Sequence, residues 1–257
     1  MSTKFTILGC GSSLGIPRID GYFGKCNPKI KKNYRSRCSA MISLGHYNIL
    51  IDTSPDLKSQ LLNNKISQIN EVFYTHFHGD QTHGANELRV FYLKNKKKLN
   101  IYADDDTSKY LSKSFSYFFK DSIGYPAIFK LNKLKQIHKF KIKNKKIILE
   151  PIVVKHGEIN SILYKINNIL AYASDVSKIY RTDLKKLKNL KYLIIDCLRF
   201  DPHPSHFNLS DVLELTHVLK PKKTILTNMN NEIDYVNIKK ILPKNIIPAY
   251  DGMSLSI

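Results

Sequence analysis

The sequence predicts an α/β chain folded as a four-layer αββα sandwich, helix on sheet on sheet on helix. Three observations carry that expectation. Short apolar, β-branched runs recur between turn signals, which is how strands read. Segments with helical spacing fall between and after those runs. The second half of the chain then repeats the grammar of the first without repeating its sequence, so each half supplies one sheet covered on one side by helices.

Strands are expected over "KFTILG" (4–9), "SAMISL" (39–44), "YNILID" (47–52), "EVFYT" (71–75) and "LNIYA" (99–103). Between the third and fourth, Ser54 can cap and Pro55 open a short helix in "SPDLKSQLLNN", and residues 104–120 carry apolar positions at near-helical spacing. The second half offers "QIHKFKI", "KIILEPIVV", "SILYKI" and "ILAYAS", a helix over 177–188, the strand "YLIID", a helix over 209–219, the strand "KTILT" and a helix over 235–242. The stretch 14–37, rich in Gly, Lys and Arg, reads as an excursion over a site rather than a linker.

With 257 residues, 42% of them hydrophobic, the chain can bury a sizeable core. No apolar run approaches the roughly 20 residues of a membrane span. The start "MSTKFTILGCG" lacks a basic region followed by an apolar stretch, so a cytoplasmic address is expected. Formal charge is +20, from 41 Lys+Arg against 21 Asp+Glu. Only six of those cations are arginine, and the lysines are spread through Ile- and Asn-rich segments rather than gathered in a stripe. A solvated surface of compositional origin is the first reading, and attraction to phosphorylated substrates the second. Cys10, Cys26, Cys38 and Cys197 lie far apart and are expected to be reduced thiols. A structural metal on Cys26 and Cys38 would lack a nearby third ligand.

The densest chemistry is "THFHGDQTHG" (75–84), three histidines and a carboxylate just after a strand. Other polar residues sit likewise past strand ends: Asp52, His156, Asp175, Asp196 and Asn228. Strand ends gathered on one edge can hold ligands rigidly without burying charge in the core. His76 and His78 in H-x-H-x-D spacing, joined by His156 and Asp175, point to a metal centre rather than to scattered packing histidines. Asp196, His138, His46 and His217 read as structural or surface residues.

The segments "THFHGDQTHGANELR", "HG" at 156–157, "AYASDV" at 171–176 and "LTNMN" at 226–230 resemble the successive motifs of the metallo-β-lactamase fold. With "GCGSSLGIPR", "RCSAMI", "LIDTSPD" and "PHPSH", the chain most resembles the PhnP-like, phosphoribosyl cyclic phosphodiesterase branch, over nearly its whole length. The resemblance implies a single domain over 1–257 made of two similar halves. It implies that His76, His78 and His156 hold a first metal, that Asp175 bridges two metals and that Asp80 serves the second. The family's histidines directly after that aspartate and after the late Leu-Thr are here Gln81 and Asn228. An amide oxygen is a harder, weaker donor than imidazole, so the altered second position suits zinc poorly and manganese or magnesium better, or stays empty. His83, three residues past Asp80, is a candidate substitute ligand if that turn is helical.

The expected cofactor is therefore one or two divalent ions, zinc or manganese, and the expected activity a phosphodiesterase acting on a small cyclic phosphate or nucleotide-like ester. In that reading Asp80 orients or deprotonates the attacking water. Arg89, Arg199 or His206 balances phosphoryl charge, and Asp52 orients a ligand or bonds the histidine loop rather than ligating. His203 and His206 either rigidify their loop or face substrate, with His206 donating a proton to the leaving group. A tRNase Z-like nuclease and a degenerate binding domain are the alternatives. Partners expected are a small phosphorylated substrate and no membrane, with nucleic acid not favoured and a homodimer as an alternative to a monomer.

Overall fold

The computed structural model describes residues 2–257. The first half comprises β1 (Lys4–Gly9), β2 (Ser39–Leu44), β3 (Tyr47–Ile51), α1 (Leu57–Asn63), β4 (Glu71–Phe73), α2 (Gly79–Thr82), α3 (Arg89–Asn95), β5 (Leu99–Ala103), α4 (Asp105–Ser114) and β6 (Phe129–Lys133). The second comprises β7 (His138–Ile142), β8 (Lys145–His156), β9 (Ile159–Ile166), β10 (Leu170–Ala173), α5 (Arg181–Leu184), β11 (Tyr192–Asp196), α6 (Leu209–Leu219), β12 (Lys223–Thr227), α7 (Tyr235–Ile241), β13 (Ile246–Pro248) and β14 (Met253–Ser256). Two seven-stranded sheets result, ordered β14-β1-β2-β3-β4-β5-β6 and β13-β12-β11-β10-β9-β8-β7. The last strand crosses back to pair antiparallel with β1, so the first sheet is closed by the end of the chain.

Period-two alternation sorts the side chains of the first sheet between two cores. Phe5, Ile7, Ala40, Ile42, Ile49, Ile51 and Phe73 face the second sheet. Leu8, Met41, Leu50, Val72 and Tyr74 face the helical layer, against Leu57 and Leu61 of α1, Phe91 of α3 and Leu111 of α4. Both faces are buried, which is why these strands read as continuous apolar runs. On the far side, Val212 and Leu219 of α6 and Ile238 of α7 cover the second sheet. Asn208 and Asp211 form a reciprocal cap at the start of α6.

Some elements differ from expectation. The helix expected over 177–188 is reduced to α5 and a short 3-10 turn, because its start is drawn into an antiparallel bridge between Lys178 and Lys155, with Ser177 N donating to the Lys155 carbonyl at 2.7 Å. Bridge pairing holds these residues extended, so the helix begins only at Arg181. The helix expected over 104–120 stops as a regular helix at Ser114, and residues 116–118 form a 3-10 turn. Strands β6, β13 and β14, with sequences "FKLNK", "IIP" and "MSLS", lack a long apolar run and have no counterpart in the sequence-based reading.

The excursion between β1 and β2 is pinned at its root by Asp251, in the turn before β14. Its carboxylate accepts from Cys10 N at 3.1 Å, from Ser36 N at 2.7 Å and from Ser36 Oγ at 2.6 Å. Burial raises this carboxyl to about 6 in spite of those donors. In Asp251→Asn one oxygen becomes an amide NH₂, which cannot accept from Ser36 N or, turned over, from Cys10 N. The expected loss is about 1–3 kcal/mol, read as a melting temperature lower by roughly 3–8 °C. An unchanged melting temperature would show that Asp251 does not anchor the loop.

Candidate metal centre

Strand direction brings the polar residues to one edge. β1 and β3 are both antiparallel to β2, and β3, β4 and β5 run parallel, so their C-terminal ends lie together. In the second sheet β8 and β10 are each antiparallel to β9, and β10, β11 and β12 are parallel. Asp52, His76, His156, Asp175, Asp196 and Asn228 all sit at or just beyond such ends. The loop after β4 is closed by Gly84, where an added Cβ would lie 2.0 Å from the Ser54 carbonyl oxygen.

Three imidazoles converge there. His76 Nε2 lies 3.0 Å from His78 Nδ1, which lies 3.3 Å from His156 Nε2. Donors arranged tetrahedrally at zinc distances are spaced by roughly 3.3 Å, which these two separations match, and all three nitrogens lie within 4.8 Å of one another. The remote nitrogens are tied off. Thr75 Oγ1 donates to Asp52 at 2.9 Å, so its oxygen accepts from His76 Nδ1 at 3.0 Å and leaves His76 Nε2 with a lone pair. Asp52 also accepts Thr75 N at 2.7 Å. His156 Nδ1 donates to the Ser205 carbonyl at 2.6 Å, with the same consequence for its Nε2. Gly157 makes room for this bond: its φ is +58°, and a Cβ there would lie 2.9 Å from Ser205 Cβ. Burial lowers the His76 imidazole to about 3 and lowers His78 and His156 too, which keeps all three neutral.

Asp175 stands beside His156 on the other side, and with His206 forms a second group whose ligand atoms lie within 4.8 Å of one another. Its two oxygens are held by the two amides. Asn228 Nδ2 donates to Oδ1 and Gln81 Nε2 to Oδ2, both at 3.2 Å. Gln81 Nε2 also lies 3.2 Å from Asp80 Oδ2, so one NH₂ group bridges two carboxylates. Turned over, the amide would aim its oxygen at both negative charges. The orientation seen leaves Gln81 Oε1 buried and without a hydrogen-bond partner. Burial, reinforced by Asp175, raises the Asp80 carboxyl to about 6.

Asp196, read from sequence as structural, belongs to this network. It accepts from His206 Nδ1 at 2.7 Å and from Asn228 Nδ2 at 3.2 Å. Burial alone would lower the His206 imidazole, but the adjacent Asp196 carboxylate raises it to about 9. Only its position at the end of β11 hinted at this. His203 lies beside His206, rings 5.0 Å apart, and its Nδ1 accepts from Ser205 N at 3.2 Å. Thr75 and Ser205, the supports of His76 and His156, carried no sequence signal of their own.

The remaining candidates are engaged with other partners. Arg199 donates to the carbonyls of Asp201 and Pro202 and so braces its own loop, within electrostatic reach of His203. Arg89 lies over the Tyr125 ring at 5.7 Å and lines a small pocket whose walls include none of the histidines. The arginine in electrostatic reach of Asp80 is Arg37, paired with Asp56 at 2.6 Å. His83 is turned away from the cluster: its Nε2 is bonded to the Tyr110 hydroxyl at 2.8 Å, its ring stacks on Tyr110, and it belongs to neither metal-capable group. Cys26 and Cys38 donate to different partners, the Ile233 and Gly11 carbonyls, and no metal-capable group among the described residues contains a cysteine.

The beta-lactamase superfamily domain model matches residues 47–229, which hold every residue of this cluster. The chain belongs to that superfamily. Among solved structures, this member superimposes on a diphosphatase from the PhnP family with a TM-score of 0.89 and 28% identity, covering 99% of this chain and 98% of the other. It is a PhnP-like protein of the metallo-β-lactamase fold. The short form of human tRNase Z superimposes with a TM-score of 0.69 at 15% identity, covering 99% of each chain. An octanoyltransferase of Porphyromonas gingivalis (strain ATCC BAA-308 / W83) is 27% identical over 256 residues, 98% of this chain and 51% of the relative. The chain thus spans about half the length of that curated relative. No helix among the described residues is long and apolar enough to cross a membrane.

The three imidazoles fit one divalent ion, of the kind this superfamily typically holds: His76, His78 and His156 form one group of converging nitrogens, and Asp175 adjoins it through His156. At a second position, beside Asp80 and Asp175, Gln81 and Asn228 present NH₂ groups to the carboxylates rather than donor atoms to an ion, and His206 is the one imidazole grouped with Asp175 besides His156. Zinc-loaded, desalted wild type is expected to retain about one ion per chain and Gln81→His with Asn228→His about two, each single change doing less. Metal analysis of the four proteins checks this. Two tight zinc ions already in wild type would contradict it.

Proposed function

We propose that the protein is a divalent-metal-dependent phosphodiesterase acting on a small cyclic phosphate or nucleotide-like ester. One observation carries the reading: three neutral imidazole nitrogens and Asp175 meet at a single strand edge beside a His206–Asp196 pair. A divalent ion held there by His76, His78 and His156, zinc or manganese, would supply Lewis acidity toward water near neutral pH. The chain's residues do the rest. Asp80 would orient the attacking water and accept its proton, a role suited to a carboxyl raised to about 6. His206 donates a proton to the leaving oxygen. Its Nδ1–H is spent on Asp196, which leaves Nε2, without a hydrogen-bond partner among the described residues, as the donating atom. His203 and Arg37 line the same edge and favour an anionic substrate.

The likeness to a PhnP-family diphosphatase supports cleavage of a phosphorus–oxygen bond. That to tRNase Z, at 15% identity, speaks for the fold alone, and along the sequence the lysines are spread rather than gathered in one segment. Octanoyl transfer is not proposed, since about half of that relative's length lies outside the match. Bis-p-nitrophenyl phosphate is expected to be hydrolysed, with loss on chelation and recovery on adding manganese or zinc. p-Nitrophenolate leaves without needing a proton, so His206→Asn is expected to cost little with that ester and about a hundredfold or more in kcat with a dinucleotide. Equal losses on both substrates would remove His206 as the proton donor.

A further inference from the structure

Between the two histidines of the first motif stands Phe77, and its surroundings are not those of a packing residue. It is half-buried, yet it is not among the side chains that pack against either core. Its ring contacts are His78, centroids 5.4 Å apart and nearly perpendicular, and Tyr110 of α4, at 5.8 Å and tilted by 37°. Tyr110 is itself half-buried and fixed: its hydroxyl bonds His83 Nε2 at 2.8 Å, and its ring meets Phe115 edge-on at 6.5 Å. His83, exposed and stacked on Tyr110 at an interplanar angle of 8°, extends the same aromatic row. A partly solvated aromatic wall, held in place from behind, therefore begins at a candidate metal ligand. Such a wall costs the fold apolar exposure that a polar residue at position 77 would avoid, and it presents the π surface on which flat rings stack.

We propose that Phe77 and Tyr110 form a stacking platform that selects phosphate esters carrying a flat aromatic ring, such as a nucleobase, over esters with small alkyl groups. The proposal rests on the phosphodiesterase reading for its kinetic test but not for its binding test. Stacking of a base on an aromatic side chain typically changes affinity by about 5- to 150-fold, so a tenfold effect is the expected order. His83 is the brace in this arrangement, which gives the third histidine of "THFHGDQTHG" a task away from the metal.

The kinetic test compares thymidine 5′-p-nitrophenyl phosphate with methyl p-nitrophenyl phosphate, which share a leaving group. Wild type is expected to show a KM about tenfold lower for the thymidine ester, Phe77→Ala to bring the ratio of the two KM values near one, and Phe77→Tyr to restore it. Metal content is measured in each variant, since a change acting only through His78 would alter metal retention and depress kcat on both esters alike; that result would overturn the proposal. So would a wild-type enzyme indifferent to the thymidine group. In parallel, calorimetric binding of thymidine 5′-phosphate and methyl phosphate to the metal-loaded proteins reads the platform without turnover. If neither ester is cleaved, the phosphodiesterase reading fails. The platform then stands if the nucleotide still binds about tenfold tighter than methyl phosphate in a Phe77-dependent way, and falls if it does not.

Discussion

Burying an imidazole that must offer a lone pair is stable only if the hydrogen on its other nitrogen has somewhere to go. That constraint organises the metal edge of this protein. His76 is fully buried, and the chain Asp52–Thr75–His76 gives its Nδ1–H an acceptor while fixing which nitrogen faces the cluster. His156 solves the same problem with the Ser205 carbonyl, which requires the loop 198–208 to fold back over Gly157. Parallel strand ends deliver the residues, but these two tautomer locks aim the nitrogens. Asp52 itself sits at φ +62°, a left-handed conformation uncommon outside glycine, so the support of His76 is bought with local backbone strain.

The second position is governed by the opposite problem, too much negative charge. Asp80, Asp175 and Asp196 are gathered in a space where burial opposes ionisation. This chain meets that charge with two amide NH₂ groups and the His206 imidazole. Gln81 and Asn228 thus act as hydrogen-bond donors to carboxylates, a role histidine ligands with bare nitrogens could not play. Donation by these amides accounts for how three acidic residues are accommodated together.

The sequence made the scaffold legible where burial on both faces writes continuous apolar runs, as in β1 to β5 and β11. It was less informative at β6, β13 and β14, whose place is set by neighbouring strands rather than by their own composition. Motif spacing points to His76, His78, Asp80, His156 and Asp175, which the structure gathers at one edge of strand ends. It could not reveal that Arg89 faces Tyr125 and Arg199 its own loop, because side-chain direction on a helix or loop depends on packing that no local pattern records. Nor could it distinguish His83, turned to Tyr110, from a ligand three residues away from Asp80. Asp196 was underestimated for the same reason: its partner, His206, is ten residues on in the chain.

The central claim is that one ion is held by three imidazoles, with amides in place of a second ion. X-ray absorption spectroscopy of the zinc-loaded wild-type protein tests it most directly. The account predicts a first shell of three imidazole nitrogens and one or two oxygens at about 2.0–2.2 Å and no metal–metal scattering. A metal–metal vector near the roughly 3.5–4 Å of two-metal sites, or a shell with fewer than three imidazoles, would contradict it.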